Sequence, residues 1–183
     1  TFNYGNESFN GTNYINTGIP LFNTVNINRD FEVSTTISNF IYHSGQDQSR
    51  NTLICNQYEV ADPYQGFALH YRDGKIMVQA NCVSINDAKV PWGKTSGSIT
   101  FRRTGTNLYY DNNFLVDYTN IPSAFTAPLS FGANIDKNGN PRRFSIADLA
   151  DMNVTLTYTA NEISDLNLPI PTRTGYIFEG WYT

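Results

Sequence analysis

The chain has 183 residues, of which 40% are hydrophobic, 14% aromatic and only 15% charged, and its formal net charge is −4 at pH 7. This length matches one β-domain with room for a small appendage, and it is enough to bury a full core between two sheets. The weak negative charge gives no electrostatic basis for binding nucleic acid or an anionic membrane. No run of residues is long and apolar enough to insert into a bilayer or to resemble a signal peptide, as is also true of a mature fragment of an exported protein.

The first third of the chain predicts strands. Alternating side chains indicate strands over residues 9–21, 31–41 and 52–58, separated by polar loops. The polar residues of the whole chain are mostly Asn, Thr, Tyr and Ser, which favour strands and turns and supply neutral hydrogen-bonding groups. Such groups suit sugars better than phosphates.

The stretch from residue 66 to residue 118 predicts the centre of the fold. Asp73 and Gly74 are the strongest short signal for a two-residue hairpin turn, and the flanking strands alternate between an apolar and a polar face. The apolar face comprises Phe67, Leu69, Tyr71, Ile76, Val78 and Ala80, and the polar face comprises Ala68, His70, Arg72, Met77, Gln79 and Asn81. Two more hairpins turn near residues 104–107 and 112–113. We therefore predict one long antiparallel meander whose apolar face the rest of the chain covers.

The two cysteines are predicted to be buried free thiols. Cys55 and Cys82 lack CxxC spacing, and they fall on strands that flank the predicted strand over residues 67–72. That places them about 9.6 Å apart, at two strand spacings, whereas a disulfide needs Cα atoms within about 7 Å. A disulfide is the alternative.

The last third predicts two strands and a helix. Residues 128–136 and 144–156 alternate as strands, the second with a kink, and Asn138 and Gly139 form the turn between them. A capping box at residues 159–162 predicts a short helix over residues 160–166. The whole pattern predicts an all-β fold, a two-sheet antiparallel jelly-roll sandwich with one short helix.

Five short segments along residues 1–167 are informative because of the order in which they occur. They are residues 11–18 (GTNYINTG), 30–34 (DFEVS), 128–133 (PLSFGA), 147–156 and 159–166. This order resembles the laminin-G-like branch of the concanavalin A-like lectin and glucanase superfamily. The resemblance implies two curved antiparallel sheets, with a concave face that often binds glycans.

A more specific motif follows in residues 168–183, which read LPIPTRTGYIFEGWYT. This motif resembles the first third of the Listeria–Bacteroides surface repeat, found as tandem β modules in exported proteins mainly of Gram-positive bacteria. The resemblance implies a laminin-G-like domain over residues 1–167 and the truncated start of a β surface repeat over residues 168–183. It also implies further modules of the same parent chain and an extracellular location at the bacterial cell surface.

The carboxylates give little support to glycoside hydrolysis, which the superfamily resemblance raises because that superfamily includes enzymes. A retaining enzyme needs two carboxyls about 5–5.5 Å apart, and the strand motif that supplies them in the superfamily is absent here. The nearest pair, Glu59 and Asp62, has an odd spacing beside Pro63. A GxSxG motif is absent as well, so we predict that the domain is not an enzyme.

One segment resembles a metal loop. His43 and His70 stand alone, and neither histidines nor cysteines recur at zinc-ligand spacing. Asp136 and Asn138 begin a run of alternating oxygen ligands like the start of a calcium loop. A plain Asn-Gly hairpin turn is the alternative, and turn statistics favour it.

The candidate ligand-binding residues are aromatic and planar polar side chains. Sugar recognition uses a flat ring for the C–H face and amide, guanidinium or carboxyl groups for hydroxyls. The first hairpin offers His70, Arg72, Gln79 and Asn81, the adjoining strand offers Arg102, and two loops offer Tyr58, Asp62, Tyr64 and Trp92. A solvated sheet face and a tryptophan that caps the core are the alternative interpretation.

These observations predict a non-catalytic, lectin-like, carbohydrate-binding module of a bacterial cell-surface or secreted protein, with a glycan or glycoprotein as its partner. A protein-binding adhesin or spacer module is the alternative from another class. A glycoside hydrolase domain with an unusual carboxylate pair is the third. An exposed Trp92 beside Gln79 and His70 would favour sugar binding, whereas a buried Trp92 would favour a spacer.

Overall fold

A computed structural model describes residues 1–21, 30–41, 51–56, 58–59, 66–72, 75–81, 88–92, 96–117, 127–136, 138–157 and 170–179. These ranges contain strands and no helix, hence no helix that could span a membrane. The strands are β1 (Phe2–Asn3), β2 (Glu7–Asn10), β3 (Ile15–Pro20), β4 (Asp30–Ile41), β5 (Asn51–Asn56), β6 (Tyr58–Glu59), β7 (Gly66–Arg72), β8 (Lys75–Asn81), β9 (Ala88–Trp92), β10 (Gly97–Thr104), β11 (Asn107–Tyr110), β12 (Asn113–Asp117), β13 (Pro128–Phe131), β14 (Asn134–Asp136), β15 (Pro141–Arg142), β16 (Ile146–Thr157) and β17 (Thr172–Arg173). The predicted helix over residues 160–166 lies outside the described residues.

The strands form two large sheets and one small one. Sheet A has the order β1-β16-β4-β10-β11-β12, with β2 also pairing with β16. Sheet B has the order β17-β3-β13-β5-β7-β8-β9, and sheet C has the order β15-β14-β6. Pairing within sheets A and B is antiparallel, while β14 and β6 of sheet C run parallel. The predicted all-β antiparallel sandwich is confirmed.

One hydrophobic core joins the two large sheets. Sheet A contributes Val33, Ile37, Phe101 and Leu149 among others, and sheet B contributes Ile15, Ile54, Leu69 and Phe131 among others. Burial alternates along β3 and along the first eight residues of β4, as the sequence predicts. Such alternation places every second side chain in the core and leaves the others on the outer faces of the sheets.

The three predicted hairpins are confirmed as the pairs β7–β8, β10–β11 and β11–β12, but the prediction that they form one continuous meander is wrong. Arg72 pairs with Lys75 and Leu69 with Val78, in the predicted register. However, β9 lies where the sequence predicts a loop, and β10 then pairs with β4 in sheet A rather than continuing sheet B. Alternation shows which residues face a core, but both sheets of a sandwich have the same pattern. It therefore cannot show where the chain passes from one sheet to the other.

Two irregularities interrupt strands that the sequence predicts as continuous. The segment over residues 128–136 divides into β13 and β14 at Gly132, which has φ +82°. The predicted kink in the last long strand is confirmed as two bulges in β16, between Ile146 and Asp148 and between Ala150 and Asn153. Each bulge adds an unpaired residue and bends the strand.

The beginning of the C-terminal motif packs onto the domain. Strand β17 pairs with β3 at the edge of sheet B, with Thr172 opposite Asn16. The guanidinium of Arg173 pairs with the carboxylate of Glu7 in sheet A and lies 3.9 Å from the ring centroid of Tyr176. Residues 170–179 therefore contact both large sheets. Cys55 is buried, as predicted, and Cys82 lies outside the described residues.

Candidate functional site

The structure disperses the residues that the sequence groups as a sugar site. Asp62 and Tyr64 lie outside the described residues. The backbone places Arg72 in β7, Gln79 and Asn81 in β8, Trp92 in β9, and Tyr58 in β6 of sheet C. Arg102 belongs to β10 of sheet A, so it does not adjoin the first hairpin.

His70 lies in a buried position, which corrects the prediction of an open polar face. Its side chain is 2% exposed, and its Nδ1 lies 2.9 Å from Oγ1 of Thr52 on the neighbouring strand. Ala68, on the same face, is buried too. Both faces of the neighbouring strand β5 are buried along its whole length, so this part of sheet B is covered on the His70 side as well as on the core side. Alternation alone cannot distinguish a buried, hydrogen-bonded histidine from a solvated one.

Trp92 is also separated from the polar face of the hairpin. It lies at the end of strand β9, where its Cα pairs with that of Ile76, and Gln79 pairs with Lys89. Positions 89 and 92 are an odd number of residues apart in one strand. In a regular strand such positions belong to opposite faces of the sheet. The backbone register therefore does not bring Trp92 beside Gln79 and His70.

Arg102 stands in a row of side chains that crosses the outer face of sheet A. Cross-strand pairing places five residues side by side, and we call them the Arg102 row: Thr155, Glu32, Arg102, Tyr109 and Phe114. The first four of these alternate along their strands with buried residues such as Phe101 and Val33. Neighbouring positions on this face carry small polar residues, including Ser34, Thr36, Ser98 and Thr100.

The aromatic end of the Arg102 row is preorganised. The guanidinium carbon of Arg102 lies 4.7 Å from the ring centroid of Tyr109, and Nη1 of Arg102 donates to Oγ1 of Thr104 at 2.8 Å. The rings of Tyr109 and Phe114 meet edge to face, with centroids 6.1 Å apart. Phe114 is 58% exposed and is one of five large hydrophobic side chains that are exposed among the described residues. The row thus presents an open ring beside a fixed cation.

The other end of the Arg102 row presents oxygen atoms. Glu32 stands directly opposite Arg102 and is exposed, and its carboxylate has no hydrogen bond or ion pair with the described residues. Oγ1 of Thr155 lies 2.9 Å from Oγ1 of Thr1. A shallow cavity of about 230 Å³ lies at this end, and it is lined by Asp30, Phe31, Glu32, Arg102, Arg103, Thr104, Thr155 and Thr157. A ligand that lies along the whole row would meet the ring of Phe114 at one end, and hydrogen-bond donors and carboxylate acceptors toward the other end.

Sequence reasoning identified Arg102 but missed the other four members of the row. A signal was present for two of them, because the predicted turn near residues 112–113 brings Tyr109 opposite Phe114. Glu32 and Thr155 could not be found in this way. They belong to β4 and β16, which are far from β10 in sequence and become its neighbours only in the folded sheet.

The geometry of the candidate calcium loop supports the turn interpretation. Oδ1 of Asp136 accepts hydrogen bonds from the backbone N–H groups of Asn138 and Asn140, both at 2.9 Å. Its Oδ2 lies 3.4 Å from Nε of Arg142. Burial raises the pKa of the Asp136 carboxyl, but the hydrogen bonds from Asn140 and Asn138 and the charge of Arg142 outweigh it and lower the pKa. Among the described residues, no group of three His, Cys, Asp or Glu could hold a metal ion.

Replacing Asp136 with asparagine should destabilise the domain in a pH-dependent way. A lowered folded pKa means that the carboxylate stabilises the fold above the unfolded pKa of about 3.9, and that this stability is lost as pH falls through the folded pKa. We expect Asp136→Asn to reduce the free energy of unfolding by about 1 kcal/mol at pH 7 and by less at pH 3. Urea unfolding at both pH values measures this. Asp151→Asn, at an exposed carboxylate outside the turn, is the control. Equal losses for Asp136→Asn at both pH values would contradict the assignment.

Comparison with known proteins identifies the fold and no family. No protein-family model matches the chain, and no curated protein matches it either. Similar solved structures include NanB sialidase from Streptococcus pneumoniae, in a structure with Optactamide, at 14% identity and TM-score 0.50 over 92% of this chain and 28% of that chain. The receptor-binding domain of botulinum neurotoxin C/D mosaic serotype matches at 14% identity and TM-score 0.51, over 88% of this chain and 41% of that chain. The alginate lyase AlyC3 matches at 8% identity and TM-score 0.51, over 84% of this chain and 74% of that chain.

These likenesses define the class of protein by its fold, which is a β-sandwich of the jelly-roll type. The chain spans less than half of the sialidase and neurotoxin chains that it matches. At such identities the likeness concerns architecture alone, because one sandwich fold hosts many unrelated sites. Function must therefore be argued from the side chains of this chain.

Proposed function

We propose that the domain is a non-catalytic, lectin-like module that binds carbohydrate through the Arg102 row. The observation that carries this proposal is the exposed ring of Phe114, which stands in one register row with Tyr109, Arg102 and Glu32. Solvent-exposed rings flanked by planar charged groups are the arrangement that sugar rings require.

Each part of the row has a role in this proposal. The open face of Phe114 packs against the C–H groups of a sugar ring, and Tyr109 supports Phe114 from its edge. The guanidinium of Arg102, held by Tyr109 and Thr104, donates to sugar hydroxyls. The free carboxylate of Glu32 accepts from the next hydroxyl. Because Arg102, Tyr109 and Phe114 are already positioned by these contacts, little of their side-chain entropy is lost on binding.

Two carboxyls among the described residues have shifted pKa values, and both shifts are opposite to the one that a general acid needs. A glycosidase needs one carboxyl with a raised pKa to act as the general acid. Asp136 and Asp148 instead have lowered pKa values. For Asp148 the causes are hydrogen bonds from Ser8 and Asn39. A hydrolase or lyase activity is the alternative within the same fold, and release of reducing ends from any bound glycan would reveal it.

The wider context of the proposal comes from the sequence. The order of segments over residues 1–167 resembles a laminin-G-like domain, and residues 168–183 resemble the start of a bacterial surface repeat. We propose on this basis a module of an exported bacterial protein that attaches its parent chain to a host or dietary glycan. The similar structures include the alginate lyase AlyC3, and this is compatible with the proposal.

A glycan screen with a matched pair of variants tests the proposal. The chain is applied to a glycan array as wild type, as Arg102→Ala and as Arg142→Ala, which removes an arginine outside the row. We expect wild type and Arg142→Ala to share a set of bound glycans and Arg102→Ala to bind them at least about tenfold more weakly, because a charged hydrogen bond is lost. Running the array with calcium and with chelator tests whether glycan binding depends on calcium. A blank array, or unchanged binding by Arg102→Ala, would contradict the proposal.

One observation favours a protein-binding or spacer role as the second candidate. Ile170, Tyr176 and Ile177 of the C-terminal segment are 70%, 65% and 91% exposed. Exposed apolar side chains close together in sequence are typical of contacts between protein modules. A blank glycan array would make this second role the preferred one.

A further inference from the structure

We infer that the Arg102 row selects neutral oligosaccharides and rejects glycans that carry carboxylates. This inference rests on the proposed function and specifies its ligand class. It follows from the balance of charge along the row and from the length of the row.

The charged side chains that a ligand would meet along the Arg102 row do not have a net positive charge. Arg102 is its one basic residue, and Glu32 stands directly opposite on the adjacent strand. Asp30, two residues before Glu32 on the same strand, lines the cavity of about 230 Å³ at the Thr155 end of the row. The neighbouring Arg103 is 1% exposed, because it alternates with Arg102 and lies on the buried side of β10. Among the described residues, two carboxylates and two guanidiniums thus line this cavity, and of the two guanidiniums only that of Arg102 is accessible to a ligand.

The contacts that Arg102 already makes leave less of its guanidinium available to bind a carboxylate. One face of its guanidinium lies over Tyr109, and Nη1 is engaged by Thr104. The Cβ atoms of directly opposed residues in a sheet lie about 5 Å apart, so an acidic group bound on the side of Arg102 that faces β4 would stand close to the carboxylate of Glu32. Repulsion at that distance opposes binding. A hydroxyl pair has no such penalty, because it can accept from Arg102 and donate to Glu32 at the same time.

The length of the row indicates an oligosaccharide. Thr155 and Phe114 lie on strands that are four strand spacings apart, which is about 19 Å at about 4.8 Å per spacing. A single sugar ring cannot contact both the ring of Phe114 and the oxygens beside Thr155. A linear chain of several sugars lying across the strands reaches all five side chains.

The test uses an array in which each neutral glycan is paired with its sialylated or uronic-acid counterpart, together with the Glu32→Gln variant. We expect wild type to bind the neutral member of each bound pair at least about tenfold more tightly, and binding to rise with chain length from the monosaccharide. Glu32→Gln removes the negative charge while keeping an oxygen acceptor. It should reduce the neutral-to-acidic preference severalfold, and Asp151→Asn, remote from the row, should leave it unchanged.

The outcomes separate this inference from the proposed function. Preferential binding of carboxylated members, or an unaltered preference in Glu32→Gln, would overturn the inference while leaving carbohydrate binding in place. Full binding to a monosaccharide would overturn the length argument. A blank array would overturn the proposed function itself and the inference with it.

Discussion

Replacing Gly132 with alanine is expected to cost the domain about 3 kcal/mol or more of folding free energy, the sum of a backbone term and a packing term. Gly132 has φ +82°, a conformation in which an L side chain is strained by about 1–2 kcal/mol. A Cβ at this position would stand 2.8 Å from Cγ of Phe9 and closer still to two other atoms of that ring. Phe9 is 2% exposed and part of the core, so it has little room to move.

Gly139→Ala is the matched control for the Gly132 prediction. Gly139 has nearly the same backbone conformation, at φ +85°, but a Cβ there would meet nothing within 4 Å. We expect Gly139→Ala to lose only the backbone strain of about 1–2 kcal/mol. Urea unfolding followed by circular dichroism measures both variants. Similar losses for the two would show that Phe9 does not confine position 132.

Replacing Phe114 with alanine is expected to weaken glycan binding about 30-fold, because truncating an aromatic anchor typically costs about 2 kcal/mol of binding free energy. The stability of the domain should change by less than about 0.5 kcal/mol, since the ring is mostly solvent-exposed. Titration of the best glycan from the array into each variant measures the binding change. Thermal unfolding measures the stability.

Two further variants distinguish ring stacking from simple apolar contact at position 114. Phe114→Trp keeps a flat ring and should retain binding, whereas Phe114→Leu keeps apolar bulk and should lose most of it. Ile177→Ala, at a 91% exposed residue of the C-terminal segment, controls for loss of surface hydrophobicity and should bind as wild type. If Phe114→Leu binds as well as Phe114→Trp, the ring is not a stacking platform.

Much of the fold could be predicted from local sequence patterns, because strand alternation and turn chemistry are local properties. The alternation in β3 and β4, the register of the β7–β8 hairpin and the turn between β10 and β11 are all present as predicted. The break at Gly132 was not predicted, because a glycine within an alternating strand has no local mark of its φ angle.

The candidate site was harder to predict, because it depends on which strands become neighbours. Arg102 was identified from its residue type, but it was assigned to the sheet of His70, and His70 itself proved to be buried. Tyr109 and Phe114 lie on a short hairpin whose pairing the sequence contains. Glu32 and Thr155 reach Arg102 only through pairings between β4, β10 and β16.

The amino-acid sequence by itself determined that this protein is an all-β sandwich, because period-two alternation and turn residues act over a few positions. Only the tertiary structure decided that β10 joins sheet A, that the His70 face is covered, and that one row of five side chains crosses the outer face. The physical reason is that strand neighbours distant in the chain are selected by the packing of the whole core. No local pattern records that selection.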